Sequence, residues 1–256
     1  MKSLMKSLMK SLKICVKESI FKESIFKESI FNDIEDIASS DNALIEQFLK
    51  DNYEINGTYE IDGTYTIKGN VVDVTGDVKV KNKKIESLTN GLFQFGTVSG
   101  DFICSCCKKL TSLKGAPEKV DRCFDCSGCP NLVSLEGAPK EDGGDFWCYS
   151  CPNLVSLKGA PEKVGFDFYC YECPKLRSLE GAPKEVGLNF DCSDCSNLKT
   201  LKGAPEKVGE DFYCHVCGKL ESLEGAPEKI GGDLICNGCG SIKITQQDRK
   251  KYKIKS

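Results

Sequence analysis

The sequence predicts a β-rich solenoid of about eight 22-residue rungs. Three columns of residues carry that expectation. Cysteines recur at positions 104, 126, 148, 170, 192, 214 and 236, each 22 residues after the last, and a second set at 107, 129, 151, 173, 195, 217 and 239 follows three residues behind. Phe102, Phe124, Phe146, Phe168, Phe190, Phe212 and Leu234 keep the same step, as do Leu110, Leu132, Leu154, Leu176, Leu198, Leu220 and the closing Ile242. Gly-Ala-Pro recurs from 115–117 to 225–227, and no insertion or deletion breaks the step from Val98 to Ile230. One such unit is too short to bury a core by itself, so the copies must stack.

Within a unit, Asp-Phe-x-Cys alternates with period two, the pattern of a short strand with the phenylalanine and first cysteine facing inward. Gly-Ala-Pro turns the chain, because proline fixes φ and removes a donor while glycine permits a tight return. Leu110 and Leu113, with their copies, supply apolar anchors on the returning side.

These residues resemble the leucine-rich repeat family. Its Leu-x-x-Leu-x-Leu-x-x-Asn/Cys-x-Leu pattern falls on Val164, Asp167 (where the family has leucine) with Phe168 beside it, Cys170, Cys173 and Leu176. Leu110-Thr-Ser-Leu-Lys-Gly-Ala-Pro117 looks like the stretch found in the short bacterial type, with Gly-Ala-Pro in place of Leu-Pro. The likeness covers about residues 74–244 and implies a right-handed coil that binds macromolecules. The Lys-Gly-Ala-Pro-Glu-Lys-Val-Gly units after a Met-Lys-Ser-Leu start also look like uncharacterised repeat proteins of bacteriophages.

A longer period is superimposed. The residue before Gly-Ala-Pro alternates as Lys114, Glu136, Lys158, Glu180, Lys202, Glu224, and the pair after it alternates in antiphase. Rungs about 5 Å apart would turn each column into opposite-charge pairs and fix stacking order. Duplication of a 44-residue pair of rungs explains the pattern equally well.

The flanking segments divide as residues 1–36, a low-complexity tail; 37–52, a short helix; 53–73, a β-hairpin cap; 74–241, the solenoid; and 242–256, a basic C-terminal cap. Asn56-Gly57 and Asp62-Gly63 mark the hairpin turns. Val74 to Leu88 fits a degenerate rung, with Val80 and Lys83 in the cysteine positions. In the tail, Met1, Leu4, Met5, Leu8, Met9 and Leu12 keep helical spacing opposite lysines, so residues 1–17 read either as a membrane- or partner-contacting helix or as a frayed, solvated tail. Lysines interrupt any apolar run there, so a secretory signal is not expected.

Charge narrows the function classes. The net charge of -3 includes +5 from residues 1–17 and +5 from 242–256, which leaves -13 on the remainder. An acidic body argues against nucleic acid as its ligand, because a phosphate backbone needs a basic face, and leaves the basic tails alone able to touch it. No run approaches the length of a membrane span. Seven Cys-x-x-Cys pairs also admit a zinc or redox array, but an inward strand position and a ladder position favour thiols used as packing groups in a reducing, cytoplasmic setting. Cys106 and Cys123 lie off the ladders, and Cys123, in an otherwise acidic column, is expected to be an exposed thiol. The single histidine, His215, sits in a column otherwise held by Ser, Tyr and Asn and reads as a surface or binding-face residue, and no segment is long enough for a separate catalytic domain, so neither an enzyme nor a cofactor is expected.

The outward columns of the strand vary while the turns are monotonous. Trp147, Tyr149, Tyr169, Tyr171, Tyr213 and His215, with Asp145, Asp167 and Asp211, are the candidate partner-binding residues. The aspartates equally suit a backbone bond at each rung. The expectation is a non-enzymatic, monomeric module that binds a macromolecular, chiefly protein, partner; the alternatives are the cysteine array and a structural virion or membrane-associated component.

Overall fold

The computed structural model describes residues 41–57, 63–240 and 242–256. The tail of residues 1–36, with its basic stretch 1–17, and the start of the helix predicted from residue 37 lie outside the described residues. The chain divides into Met1–Ile45 and Glu46–Ser256, and the second unit holds all the repeats.

That unit is a β-solenoid of eight rungs, each giving one strand to each of two parallel sheets. The first sheet stacks β4 (Asp77–Val80), β6 (Phe102–Ile103), β8 (Phe124–Asp125), β10 (Phe146–Trp147), β12 (Phe168–Tyr169), β14 (Phe190–Asp191), β16 (Phe212–Tyr213) and β18 (Leu234–Ile235). The second stacks β3 (Val71–Thr75), β5 (Gln94–Val98), β7 (Lys119–Val120), β9 (Glu141–Asp142), β11 (Lys163–Val164), β13 (Glu185–Val186), β15 (Lys207–Val208) and β17 (Lys229–Ile230). Register follows the sequence repeat: Phe146 pairs with Phe124 and Phe168, and Val186 with Val164 and Val208. The alternation that predicts the first sheet does not predict the second. Its signal is the β-branched column Val98, Val120, Val164, Val186, Val208, whose two-residue strands are too short to show a period.

The core is built from the repeated columns. The phenylalanines are fully buried, and their rings from Phe102 to Phe212 stack face to face with centroids 5.2 to 5.7 Å apart. Both cysteine columns and both leucine columns fill the rest of the section. Burying each such Phe or Leu contributes about 1.5–3 kcal/mol, which is why a unit that cannot fold alone gains by stacking. At the corner between the sheets the chains meet so closely that only glycine fits: a Cβ on Gly187 would lie 1.8 Å from the carbonyl oxygen of Gly165.

Each end is finished differently. Residues 41–52 are helical, and Phe48 in that helix meets Phe93 edge-on at 6.0 Å. β1 (Tyr53–Asn56) then runs antiparallel to β4, and buried Tyr53 closes the phenylalanine column against Phe95 and Phe102 while its hydroxyl donates to the Leu88 carbonyl. β2 (Thr64–Lys68) and β3 form a hairpin, but its turn is Gly69-Asn70 in the third hexad. β1, which ends at Asn56, pairs with β4, and the residues that would complete the turns expected at Asn56-Gly57 and Asp62-Gly63 lie in 58–62, outside the described residues. At the far end a short helix (Gln246–Lys251), capped reciprocally by Thr245 and Asp248, delivers β19 (Ile254–Lys255) to the edge of β18.

The alternating charges meet across rungs as exposed ion pairs, Lys158–Glu136 at 2.8 Å, Lys202–Glu180 at 3.4 Å, Lys184–Glu162 at 3.1 Å and Lys163–Glu185 at 3.0 Å. Each is worth little at a surface.

Candidate functional site: the aromatic strand face

The first sheet presents its alternate residues outward, so the period of two places one side chain per strand on the outer face. Trp147 and Tyr169 stack at 6.4 Å with their planes 10° apart, and Tyr149 and Tyr171 stack at 4.6 Å and 5°. Within each rung the rings are tilted neighbours, Trp147 to Tyr149 at 6.4 Å and Tyr169 to Tyr171 at 6.1 Å. Four rings from β10, β12 and the turns after them thus make one contiguous, half-buried patch. Tyr213 and His215 are not part of it. They sit two rungs on, in edge contact with each other at 6.4 Å, and Asp191 and Ser193 intervene.

The aspartates of the corner column bond to backbone. Asp145 Oδ1 accepts the Asp167 N–H at 3.0 Å, Asp167 Oδ1 accepts from Asn189 at 2.8 Å, and Asp211 Oδ1 accepts from Asp233 at 2.7 Å. The second oxygens of Asp167 and Asp211 accept the hydroxyls of Tyr169 at 2.8 Å and Tyr213 at 2.9 Å. Those carboxylates therefore hold the tyrosines in place and tie rung to rung. Burial lifts Asp145 above the usual carboxylate range, and burial together with the Asp167 bond raises the Tyr169 hydroxyl.

His215 has neighbours that sequence spacing did not reveal. Its Nδ1 lies 2.7 Å from Ser193 Oγ, and its Nε2 lies 3.9 Å from Asp194 Oδ2. The Ser193 N–H donates to Asp191 Oδ1 at 2.8 Å. A serine, a histidine and acids invite a nucleophilic reading, but Ser193 is only 1% exposed, so its oxygen serves a rung-to-rung bond and is closed to an incoming substrate. The signal available beforehand was the column Ser105, Ser127, Tyr149, Tyr171, Ser193, His215, in which Ser193 and His215 are stacked neighbours.

Neither a protein-family model, nor a curated protein, nor a solved structure matches this chain.

The cysteines form two internal ladders. From Cys129 onward the second thiol of each rung donates to the carbonyl of the first cysteine one rung back, as Cys129 to Cys104 at 3.3 Å, Cys195 to Cys170 at 3.4 Å and Cys217 to Cys192 at 3.3 Å. Burial pushes the first-column thiols, Cys126 and Cys170 among them, well above their ordinary value. They stay protonated at neutral pH, which suits neither a metal ligand nor a nucleophile. Among the described residues no three His, Cys, Asp or Glu side chains converge as a metal would require, and the sixteen of the 17 cysteines that are described there are free thiols.

One expectation is reversed. Cys123 is half-buried beside Asp125 and Asp101, with its thiol pushed up by burial, whereas Cys106 is the exposed thiol. Cys123 takes a corner position, its N–H donating to Asp101 Oδ1 at 3.1 Å, while Cys106 occupies the left-handed position just before the second cysteine, with φ of 57°. Sequence spacing also overlooked Phe166 and Leu188, exposed by 53% and 38% on adjacent rungs at the corner beside Asp167 and Asn189. It overlooked Asp142 as well, which takes the place of valine in the second sheet.

Proposed function

We propose that this chain is a non-enzymatic binding module whose aromatic strand face takes a protein partner. The observation that carries the reading is the four-ring patch of Trp147, Tyr149, Tyr169 and Tyr171 on a rigid sheet, where the other columns are monotonous. Large amphipathic rings held in place by neighbours lose little freedom on binding, and such residues dominate interface energetics. Phe166, in the rung of Tyr169, and Leu188, one rung further on, add exposed apolar surface at the corner. The protonated, inward-facing thiols of the first column favour this reading over a cysteine array, and they suit a reducing compartment. The leucine-rich-repeat likeness belongs to the same proposal and rests on the sequence columns alone.

Affinity capture with the full chain, compared with Trp147→Ala/Tyr169→Ala, tests it. The partner recovered by wild type should bind the double variant at least about 100-fold more weakly, the loss of two interface anchors, while the melting temperature stays within a few degrees. An unchanged affinity overturns the assignment of the strand face.

A further inference from the structure

The seven stretches that form the first sheet and its following turn (101–107, 123–129, 145–151, 167–173, 189–195, 211–217 and 233–239) contain nine aspartates and glutamates and none of the chain's 35 lysines and arginines. Cations return elsewhere on the rungs, as in Lys158, Lys163, Lys175 and Lys202. The exclusion is thus specific to the face that bears the aromatic patch.

The ends of this acidic face are neutralised from within the molecule. Arg122 Nε lies 3.6 Å from Asp101, Lys255 pairs with Asp233, and Lys83 reaches across to the Ser105 carbonyl at 2.7 Å. In the middle, Asp145, Glu172, Asp191 and Asp194 have no lysine or arginine partner among the described residues; the ring of His215 lies 3.9 Å from Asp194. Those four acids border the four rings: Asp145 precedes Trp147 in its rung, Glu172 follows Tyr171, and Asp191 and Asp194 lie on the next rung. Burial holds Asp145 and Asp191 above the usual carboxylate range, the condition that a neighbouring positive charge relieves.

Stacked aromatic faces beside carboxylates suit a guanidinium or an ammonium. The ring quadrupole attracts the cation, its flat surface accepts a guanidinium plane, and the acids supply the countercharge. We infer that the strand face takes a basic, extended polypeptide segment, with arginine or lysine side chains over the Trp147–Tyr169 and Tyr149–Tyr171 pairs and charge pairing at Glu172, Asp191 and Asp194. This inference rests on the strand face being the binding surface and adds the chemistry of its occupant. Rungs spaced at about the separation of strands would let side chains of an extended segment running along the stack address successive rungs.

The chain carries its own reporter, because Trp147 is the only tryptophan. Oligo-arginine, oligo-lysine, oligo-glutamate and oligo-serine peptides of equal length, titrated into the full chain, should separate cleanly in their effect on tryptophan emission. Oligo-arginine should bind tightest, oligo-lysine next, and the affinity should fall about tenfold as salt rises from about 50 to about 200 mM. Glu172→Gln/Asp194→Asn, which keeps shape and removes two charges, should weaken oligo-arginine about tenfold without moving the melting temperature. Equal binding of oligo-glutamate, or a salt-independent affinity, overturns the inference. A neutral oligosaccharide or oligo-serine that perturbs Trp147 when oligo-arginine does not overturns the cationic occupant yet leaves the face as a binding surface. That outcome is distinct from a captured partner that ignores Trp147 and Tyr169.

Discussion

At the scale of single residues, Asp142 is the position where the repeat departs furthest from its own rule. It is paired in register with Val120 and Val164 and is only 6% exposed. One carboxylate oxygen accepts the Gly144 N–H at 3.2 Å, and the other has no partner among the described residues. Burial lifts its pKa from 3.8 to about 8. A carboxyl raised on folding contributes fully below its unfolded value of about 4 and loses that contribution as pH climbs through the folded value. Asp142→Val should therefore stabilise the protein on the order of 3 kcal/mol at pH 7, from about 1.4 kcal/mol for each pH step discounted for incomplete burial. The gain should be small near pH 4, grow towards pH 8 and then level off. Urea unfolding of the two proteins across that range measures it, and a pH-independent difference would show that the side chain does not titrate as its surroundings demand. Nothing in the position 142 column, read as letters, distinguishes a buried acid from an exposed one, because its neighbours Gly143 and Gly144 also read as an ordinary loop.

At the scale of elements, the phenylalanine column and the charge columns answer different questions. Phe168 is stacked on both sides and fully buried, so Phe168→Ala should cost about 3–5 kcal/mol in equilibrium unfolding. Lys158→Ala removes an exposed 2.8 Å pair and should cost less than about 1 kcal/mol. If both substitutions cost the same, the stacked core is not what holds the rungs. Much of this was legible beforehand. A 22-residue step with inward Phe, Cys and Leu leaves stacking as the one way to bury them, and the outward columns followed from the alternation of Phe168, Tyr169, Cys170 and Tyr171. The second sheet was not legible, because a strand as short as Lys163–Val164 carries no period, and its identity comes from pairing with neighbours 22 residues away. Nor was the pairing of β1, since Asn-Gly signals a turn locally but does not say which strand lies opposite. For the candidate site, the four-ring patch could be read from the columns. The second use of Asp167 and Asp211 as tyrosine anchors could not, because it depends on side-chain direction at the corner.

At the scale of the whole molecule, the eight rungs behave as a stack in which each contacts only its neighbours, so units should be removable in whole steps. Deleting residues 160–181 takes out one rung and sets Lys158 beside Lys202, whereas deleting 160–203 takes out two and sets Lys158 beside Glu224. Both proteins should fold. Added salt should stabilise the one-rung deletion relative to the two-rung deletion, because it screens the like charges brought together in the first. An identical response to salt would mean that the alternation records duplication and does no electrostatic work. The stack also has four terminal edges, and three are covered: β1 and β2 at the start, and β19 at the end of the first sheet. The fourth is β17, which has a strand neighbour on one side only among the described residues. Its outward backbone groups are a template for one more strand, guarded by the charge of Lys229 instead of by a cover. β1, β2 and β19 end their sheets with strands from outside the repeat, whereas β17 ends the second sheet with a strand of the repeat itself, so a further copy of the unit would continue the ladder in register at β17.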